Sequence, residues 1–84
     1  MNLEELRSQI EEVDQEMMKL FIKRMNISKQ IGLYKKEHHL AIFDAKREEE
    51  LIEKYVLKLN EPSLSLLYKE FIIEIMKLSK EVQK

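Results

Sequence analysis

The sequence predicts an all-α protein of three helices, with a long first helix, that forms a homodimer. Two observations predict this class: apolar residues recur every three or four positions, and no segment alternates apolar and polar residues as strands do. The chain has 84 residues with one Gly and one Pro, so we expect a single domain over residues 1–84. A chain this short buries little surface, and a partner subunit is the expected source of the missing core.

The first helix is predicted from about Leu3 to Glu37, with Asn2 and Glu5 resembling a capping box at its start. About 35 residues at about 1.5 Å each form a rod of roughly 50 Å. A compact chain of this size has a radius of gyration of only about 12 Å. One chain cannot cover such a rod, so the apolar stripe is expected to pack on a second copy. Its heptad-like members are Leu3, Leu6, Ile10, Val13, Met17, Leu20, Ile27, Ile31 and Tyr34.

Two shorter helices are predicted after a loop at residues 38–43. Asp44 is a good N-cap for the second helix, from about Ala45 to Leu59. The segment Asn60-Glu61-Pro62-Ser63 is the clearest turn signal, and a third helix follows to near the C-terminus. Their apolar stripes are Leu51, Ile52, Tyr55, Val56 and Leu59 in the second helix, and Leu64, Leu67, Tyr68, Phe71, Ile72, Ile75 and Val82 in the third.

Composition argues against several classes of function. The net charge is −1 with basic and acidic residues interleaved, which is not the pattern of a nucleic-acid or membrane surface. There is no Cys, and the only histidines, His38 and His39, are adjacent and make a poor metal pair. No apolar run approaches the roughly 20 residues that span a bilayer, and residues 1–5 lack signal-peptide character. We therefore expect a cytoplasmic protein with no metal.

Several polar residues occupy positions that face the predicted core. Arg24 interrupts the heptad of the first helix, and Lys35 lies about three turns later on the same face. A polar pair precedes the apolar stripe of the second helix by one turn, and two polar residues continue the four-residue spacing of the third. The full set is Arg24, Lys35, Arg47, Glu48, Ser79 and Gln83.

Two interpretations explain these inward charges, because a buried charge needs a partner. In the first, Glu48 pairs with Arg24 or Arg47 and the other cations reach solvent. In the second, the surplus of cations binds a small dianion among the helices: counting Arg7, four cations face one carboxylate. The set offers no Cys or His, no carboxylate pair and no Gly-rich phosphate loop. It suits a reaction that depends on orientation and electrostatics.

The order and spacing of short motifs is the most specific signal in the chain. The motifs are Leu6-Arg7-x-x-Ile10-x-x-Val13-Asp14, Arg24 seventeen residues after Arg7, Gly32-x-x-Lys35, Asp44-x-x-Arg47-Glu48 and Ile75-Met76-x-x-Ser79-x-x-x-Gln83. Over nearly the whole chain they resemble the all-helical chorismate mutases. The resemblance implies an intertwined helical homodimer that rearranges chorismate to prephenate in aromatic amino acid biosynthesis. It implies an isomerase that needs no cofactor.

The resemblance also implies how the substrate's two carboxylates are bound. Arg7 and Arg24 would bind them, with help from Arg47 and Ser79. Arg7 would come from the partner subunit, because the long first helices cross in the family's dimer. The spacing agrees, since seventeen residues turn a helix by about 100° and one face could not present both arginines.

The remaining implied roles concern the reacting atoms and the ring. Lys35 and Gln83 would donate hydrogen bonds to the ether oxygen, on which negative charge builds in the transition state. Glu48, with the backbone near Asp44, would hold the ring hydroxyl. Phe43 departs from the family, in which many members carry a polar or basic residue there, and this departure bears on substrate affinity.

Three other functions stay open from sequence. An isochorismate-pyruvate lyase would share the fold and much of the site. A non-catalytic module would use the same pocket to sense a metabolite of the aromatic pathway. A purely structural helical dimer would use its inward charges to select its partner.

Overall fold

The computed structural model describes all 84 residues as three α-helices and one short 3-10 helix, without strands. Helix α1 is Leu3–Glu37, α2 is Ala45–Leu59 and α3 is Ser65–Gln83, with the 3-10 helix at Pro62–Leu64 before α3. The all-helical class and the predicted bounds of α1 and α2 are confirmed. The predicted turn after α2 overlaps the 3-10 helix, which starts at the only proline and leads directly into α3.

Polar side chains define where the first two helices begin. The Asn2 side chain accepts a hydrogen bond from the backbone N–H of Glu5 at 2.9 Å, and Asp44 accepts one from that of Arg47 at 3.1 Å. Each cap satisfies a backbone donor that the first helical turn leaves free. Both predicted N-caps are confirmed. Asn60 is the C-cap of α2 and adopts the left-handed conformation with φ 51° and ψ 40°.

Helix α3 packs against both α1 and α2, so it is the central element of the fold. The molecule measures 54 × 26 × 15 Å, and its long dimension is close to the length of α1. The radius of gyration is 15.9 Å, well above the value of about 12 Å for a compact chain of this length. Part of α1 therefore extends beyond the other two helices.

The buried core of one chain is small. Only six residues are buried, and they lie where α3 meets the C-terminal half of α1: Met25, Ser28, Gly32, Ile72, Met76 and Ser79. In the N-terminal half of α1 the apolar stripe is open to solvent, with Ile10 61% and Val13 57% exposed. None of the helices combines the length and apolar character of a membrane span. A single chain thus leaves uncovered the stripe that the sequence marks as core.

The left-handed cap at Asn60 gives a test of the α2–α3 connection. We expect Asn60→Val to lower the free energy of unfolding by about 1–2 kcal/mol, because a Cβ-branched residue is strained at positive φ. Asn60→Gly, which removes that strain, should be at least as stable as the wild type. Urea titration at one fixed protein concentration measures both. Equal stability of the Val and Gly variants would contradict the observed backbone conformation.

Candidate active site

A cavity of about 700 Å³ opens where the C-terminal half of α1, the α1–α2 loop, the start of α2 and the end of α3 meet. Every candidate residue except Arg7 lines this cavity: Arg24, Lys35, Asp44, Arg47, Glu48, Ser79 and Gln83. Arg7 is exposed near the start of α1, roughly 25 Å along the helix from Arg24. The structure of one chain therefore brings together seven of the eight predicted residues.

Two buried serines hold the Arg24 side chain in place. The Arg24 guanidinium donates a hydrogen bond to the Ser79 hydroxyl, which is 2.8 Å from the hydroxyl of Ser28. Both serines are among the few buried residues of the chain. The contact fixes the orientation of Arg24 through a neutral acceptor, so the guanidinium keeps its full charge and its other N–H groups.

The ion pairs of the cavity differ from the first interpretation of the sequence. Glu48 pairs with Lys80, whose ammonium lies 3.0 Å from Oε1, so the expectation that Glu48 pairs with Arg24 or Arg47 is wrong. The other two ion pairs of the structure join exposed neighbours on α1 and at the end of α3. The cavity lining therefore has four cations and two carboxylates, Asp44 and Glu48, which gives it a net charge of +2. Such a lining favours a ligand with two negative charges.

Lys35 connects α1 to the loop that covers the cavity. Its ammonium donates a hydrogen bond to the carbonyl of Ile42 at 2.8 Å. The Leu40 backbone N–H is bonded back to the Lys35 carbonyl at 2.8 Å, so the loop is held at two points. Because an ammonium has three N–H donors, Lys35 retains two for a ligand.

Gln83 places a buried amide in the wall of the cavity. Its Oε1 is buried and has no hydrogen-bond partner in the chain. An unpaired buried polar atom costs about 1–3 kcal/mol, so a ligand that pairs with this amide gains that free energy. Rotation of the amide by 180° exchanges its oxygen and NH₂, so the same position can present a donor.

Gly32 allows Gln83 to come this close to α1. A Cβ on Gly32 would lie 2.7 Å from the Gln83 Cα and 2.8 Å from its carbonyl oxygen. Both are backbone atoms, which cannot move away without shifting the end of α3. From sequence, Gly32 could be recognised as part of a motif, but its contact with Gln83 depends on tertiary packing.

Three further residues contribute to the site and were not predicted to do so. Ser28 and Lys80 line the cavity, and each lies four residues after a core-facing residue of its helix, which is a signal that could have found them. Phe43 also lines the cavity and lies under the Lys80 ammonium, 4.2 Å from ring centroid to Nζ. From sequence Phe43 was only a departure from the family pattern, because its partner is far along the chain.

Comparison with known proteins identifies the family. Residues 6–84 match the family described as chorismate mutase type II. The chain is 32% identical over 90 residues to a bifunctional chorismate mutase/prephenate dehydratase of Aquifex aeolicus, covering 96% of this chain and 25% of that protein. It is 33% identical over 63 residues to the T-protein of Haemophilus influenzae, covering 75% and 17%. No solved structure matches significantly. The chain belongs to the type II chorismate mutase family, a family of isomerases, and spans about a quarter or less of these relatives.

The close contact at Gly32 predicts an unusual response to alanine. Alanine is intrinsically better than glycine in a helix by about 1 kcal/mol. We nevertheless expect Gly32→Ala to lower the free energy of unfolding by roughly 1–3 kcal/mol, because the added methyl overpacks the contact with the Gln83 backbone. Thermal and urea unfolding measure the change. The exposed Lys36→Ala, one turn later, serves as control, and a Gly32→Ala variant as stable as that control would contradict the packing.

Proposed function

We propose that this chain catalyses the rearrangement of chorismate to prephenate, without a cofactor, as a step of phenylalanine and tyrosine biosynthesis. The observation that carries the proposal is the cavity in which the family's motif residues converge with two uncompensated positive charges. The substrate has two carboxylates, an ether oxygen and a ring hydroxyl, and the cavity has a group suited to each. The proposal is limited to this reaction, since the chain matches only part of its larger relatives.

The two arginines of the cavity, with one from a second subunit, would hold the carboxylates. Arg24 is already oriented by Ser79, and Arg47 lies at the start of α2 with no carboxylate partner. A guanidinium can bind a carboxylate through two parallel hydrogen bonds, which fixes the orientation of the ligand. Holding both carboxylates brings together the two carbons that form the new bond. The entropy of orienting these carbons is then lost on binding, so the activation barrier of the reaction itself is lower.

Lys35 and Gln83 would act on the ether oxygen. The reaction breaks a C–O bond and forms a C–C bond within one molecule, and negative charge builds on that oxygen in the transition state. Donors that are already in place stabilise this charge more than they stabilise the ground state. Lys35 has two free N–H donors, and Gln83 has an amide without a protein partner. Glu48 would accept a hydrogen bond from the ring hydroxyl.

We also propose that the active form is a homodimer in which the first helices cross. The exposed stripe of α1 supports this, and so does a second groove of about 650 Å³ between α1, α2 and α3. That groove is lined by nine hydrophobic residues and Arg24. An apolar surface of this kind on a chain with so small a core is expected to bind another protein surface.

The geometry of the groove supports a shared active site. Arg24 and Tyr55 line both the groove and the polar cavity, so the two are continuous. A partner helix lying in the groove would end beside Arg24. Arg7 of the partner subunit would then supply the eighth predicted residue, which a single chain leaves roughly 25 Å away along α1.

The first test is loss of chorismate absorbance on adding the purified protein. The wild type is expected to convert chorismate and to release no pyruvate from isochorismate.

Gln83→Ala should reduce kcat by at least about 100-fold with folding intact, since one preorganised donor to a developing oxyanion contributes roughly 2.7–4 kcal/mol. Glu81→Ala, at an exposed position beside it, should retain full activity. A Gln83→Ala variant within a few-fold of wild type would exclude Gln83 from catalysis.

Mixing two inactive variants tests the shared site. In a dimer of one Arg7→Ala chain and one Gln83→Ala chain, one site carries both changes and the other carries neither. Equal mixing with subunit exchange should restore about a quarter of wild-type activity, because about half the dimers are mixed and each has one intact site. Arg24→Ala mixed with Gln83→Ala is the control, since both residues belong to one chain's cavity and no intact site can form. No rescue in the first mixture, with exchange confirmed by mass spectrometry, would refute the shared site.

A further inference from the structure

We propose that Lys80 is a positioning residue for Glu48, which it holds in the orientation that accepts the substrate's ring hydroxyl. The inference rests on the proposed function, because it concerns the same cavity and the same substrate. Lys80 is not one of the motif residues that carry the family resemblance. Its proposed role rests on the contacts of its side chain.

The Lys80 ammonium contacts both oxygens of the Glu48 carboxylate. It lies 3.0 Å from Oε1 and 3.3 Å from Oε2, and each side chain is only about a quarter exposed, at 27% and 26%. The pair joins α3 to α2 across 32 positions of sequence, whereas each of the other ion pairs joins residues only three positions apart. A half-buried pair between helices is screened less by solvent and salt than an exposed pair within a helix.

Phe43 gives the ammonium a second contact. Its ring centroid lies 4.2 Å from Nζ, within the range of a cation–π interaction. The ammonium therefore contacts both a carboxylate of α2 and an aromatic ring of the α1–α2 loop. These two contacts limit the rotamers of Lys80, and through Lys80 they limit those of Glu48.

The position of Glu48 matters because it shares the cavity with other cations. Arg24 and Arg47 line the same cavity and have no carboxylate partner. A free Glu48 carboxylate could turn toward either guanidinium and neutralise a group that would bind the substrate. Paired with Lys80, Glu48 leaves both arginines available. Each carboxylate oxygen has two lone pairs, so Glu48 can still accept a hydrogen bond from a hydroxyl.

The role predicts which kinetic constant changes. The ring hydroxyl is not at the bonds that break and form, so its contact with Glu48 is made equally in the ground state and the transition state. Loss of such a contact raises KM more than it lowers kcat. If Glu48 turned toward the arginines, they would bind the substrate's carboxylates more weakly, and this would also raise KM.

The experiment compares Lys80→Met, Lys80→Arg and Lys77→Met in the chorismate assay. Lys80→Met should reduce kcat/KM about tenfold, mainly through KM, and Lys80→Arg should recover most of the loss, since coupled charge pairs contribute in this range. Lys77 is exposed on α3 and lies outside the cavity, so Lys77→Met should match the wild type. Thermal melts check folding, and Lys80→Gln replaces the Met variant if that variant melts early.

A double-mutant cycle with Glu48→Gln separates positioning from direct contact with substrate. If Lys80 acts through Glu48, Lys80→Met should change kcat/KM by less than about twofold in the Glu48→Gln background. A full tenfold loss in that background would mean that Lys80 contacts the substrate itself and would overturn the proposal. No loss in the wild-type background would overturn it as well. Wild-type protein that leaves chorismate unchanged would instead refute the proposed function, and the role of Lys80 with it.

Discussion

The site depends on the close approach of α1 and α3, which small side chains make possible. Ser28, Gly32 and Ser79 are buried at this contact, and Gly32 has no room for even one more carbon. The approach lets Ser79 accept a hydrogen bond from Arg24, and it brings Gln83 into the lining of the cavity. Larger residues here would separate the helices, and the donors from α1 and α3 would no longer line the same cavity.

The second constraint is the length of α1. A helix of 35 residues gives the chain an extent of 54 Å, and two shorter helices cannot cover it. The chain therefore has well-formed secondary structure around a core of only six buried residues. In the dimer that we propose, the uncovered stripe becomes core and the same association completes the cavity. Stability and activity would then both depend on association, so dilution should weaken them together.

Much of this structure could be predicted from sequence because helical periodicity is rigid. Apolar spacing and capping residues placed α1 and α2, and the same spacing showed that Arg24, Lys35 and Gln83 face inward. The partner of Glu48 could not be predicted in this way. Lys80 is 32 positions away, and its contact depends on how α2 meets α3 and on the rotamer of a long side chain. The tight contact at Gly32 could not be predicted for the same reason. In the sequence, a glycine within a helix indicates only a position of low helix propensity.

The hydrogen-bond and ion-pair partners of the cavity's charged groups explain why the cavity keeps a net positive charge that can bind an anion. Arg24 is held by a serine hydroxyl and Lys35 by a backbone carbonyl, so both are oriented by neutral acceptors that leave the positive charge uncompensated. Glu48, one of the two carboxylates of the cavity, is paired with Lys80 instead. Orientation by neutral groups and separation of the opposite charges together produce a preorganised positive cavity. A dianion entering it meets donors that need little rearrangement, which is what a reaction without proton transfer or covalent catalysis requires of its enzyme.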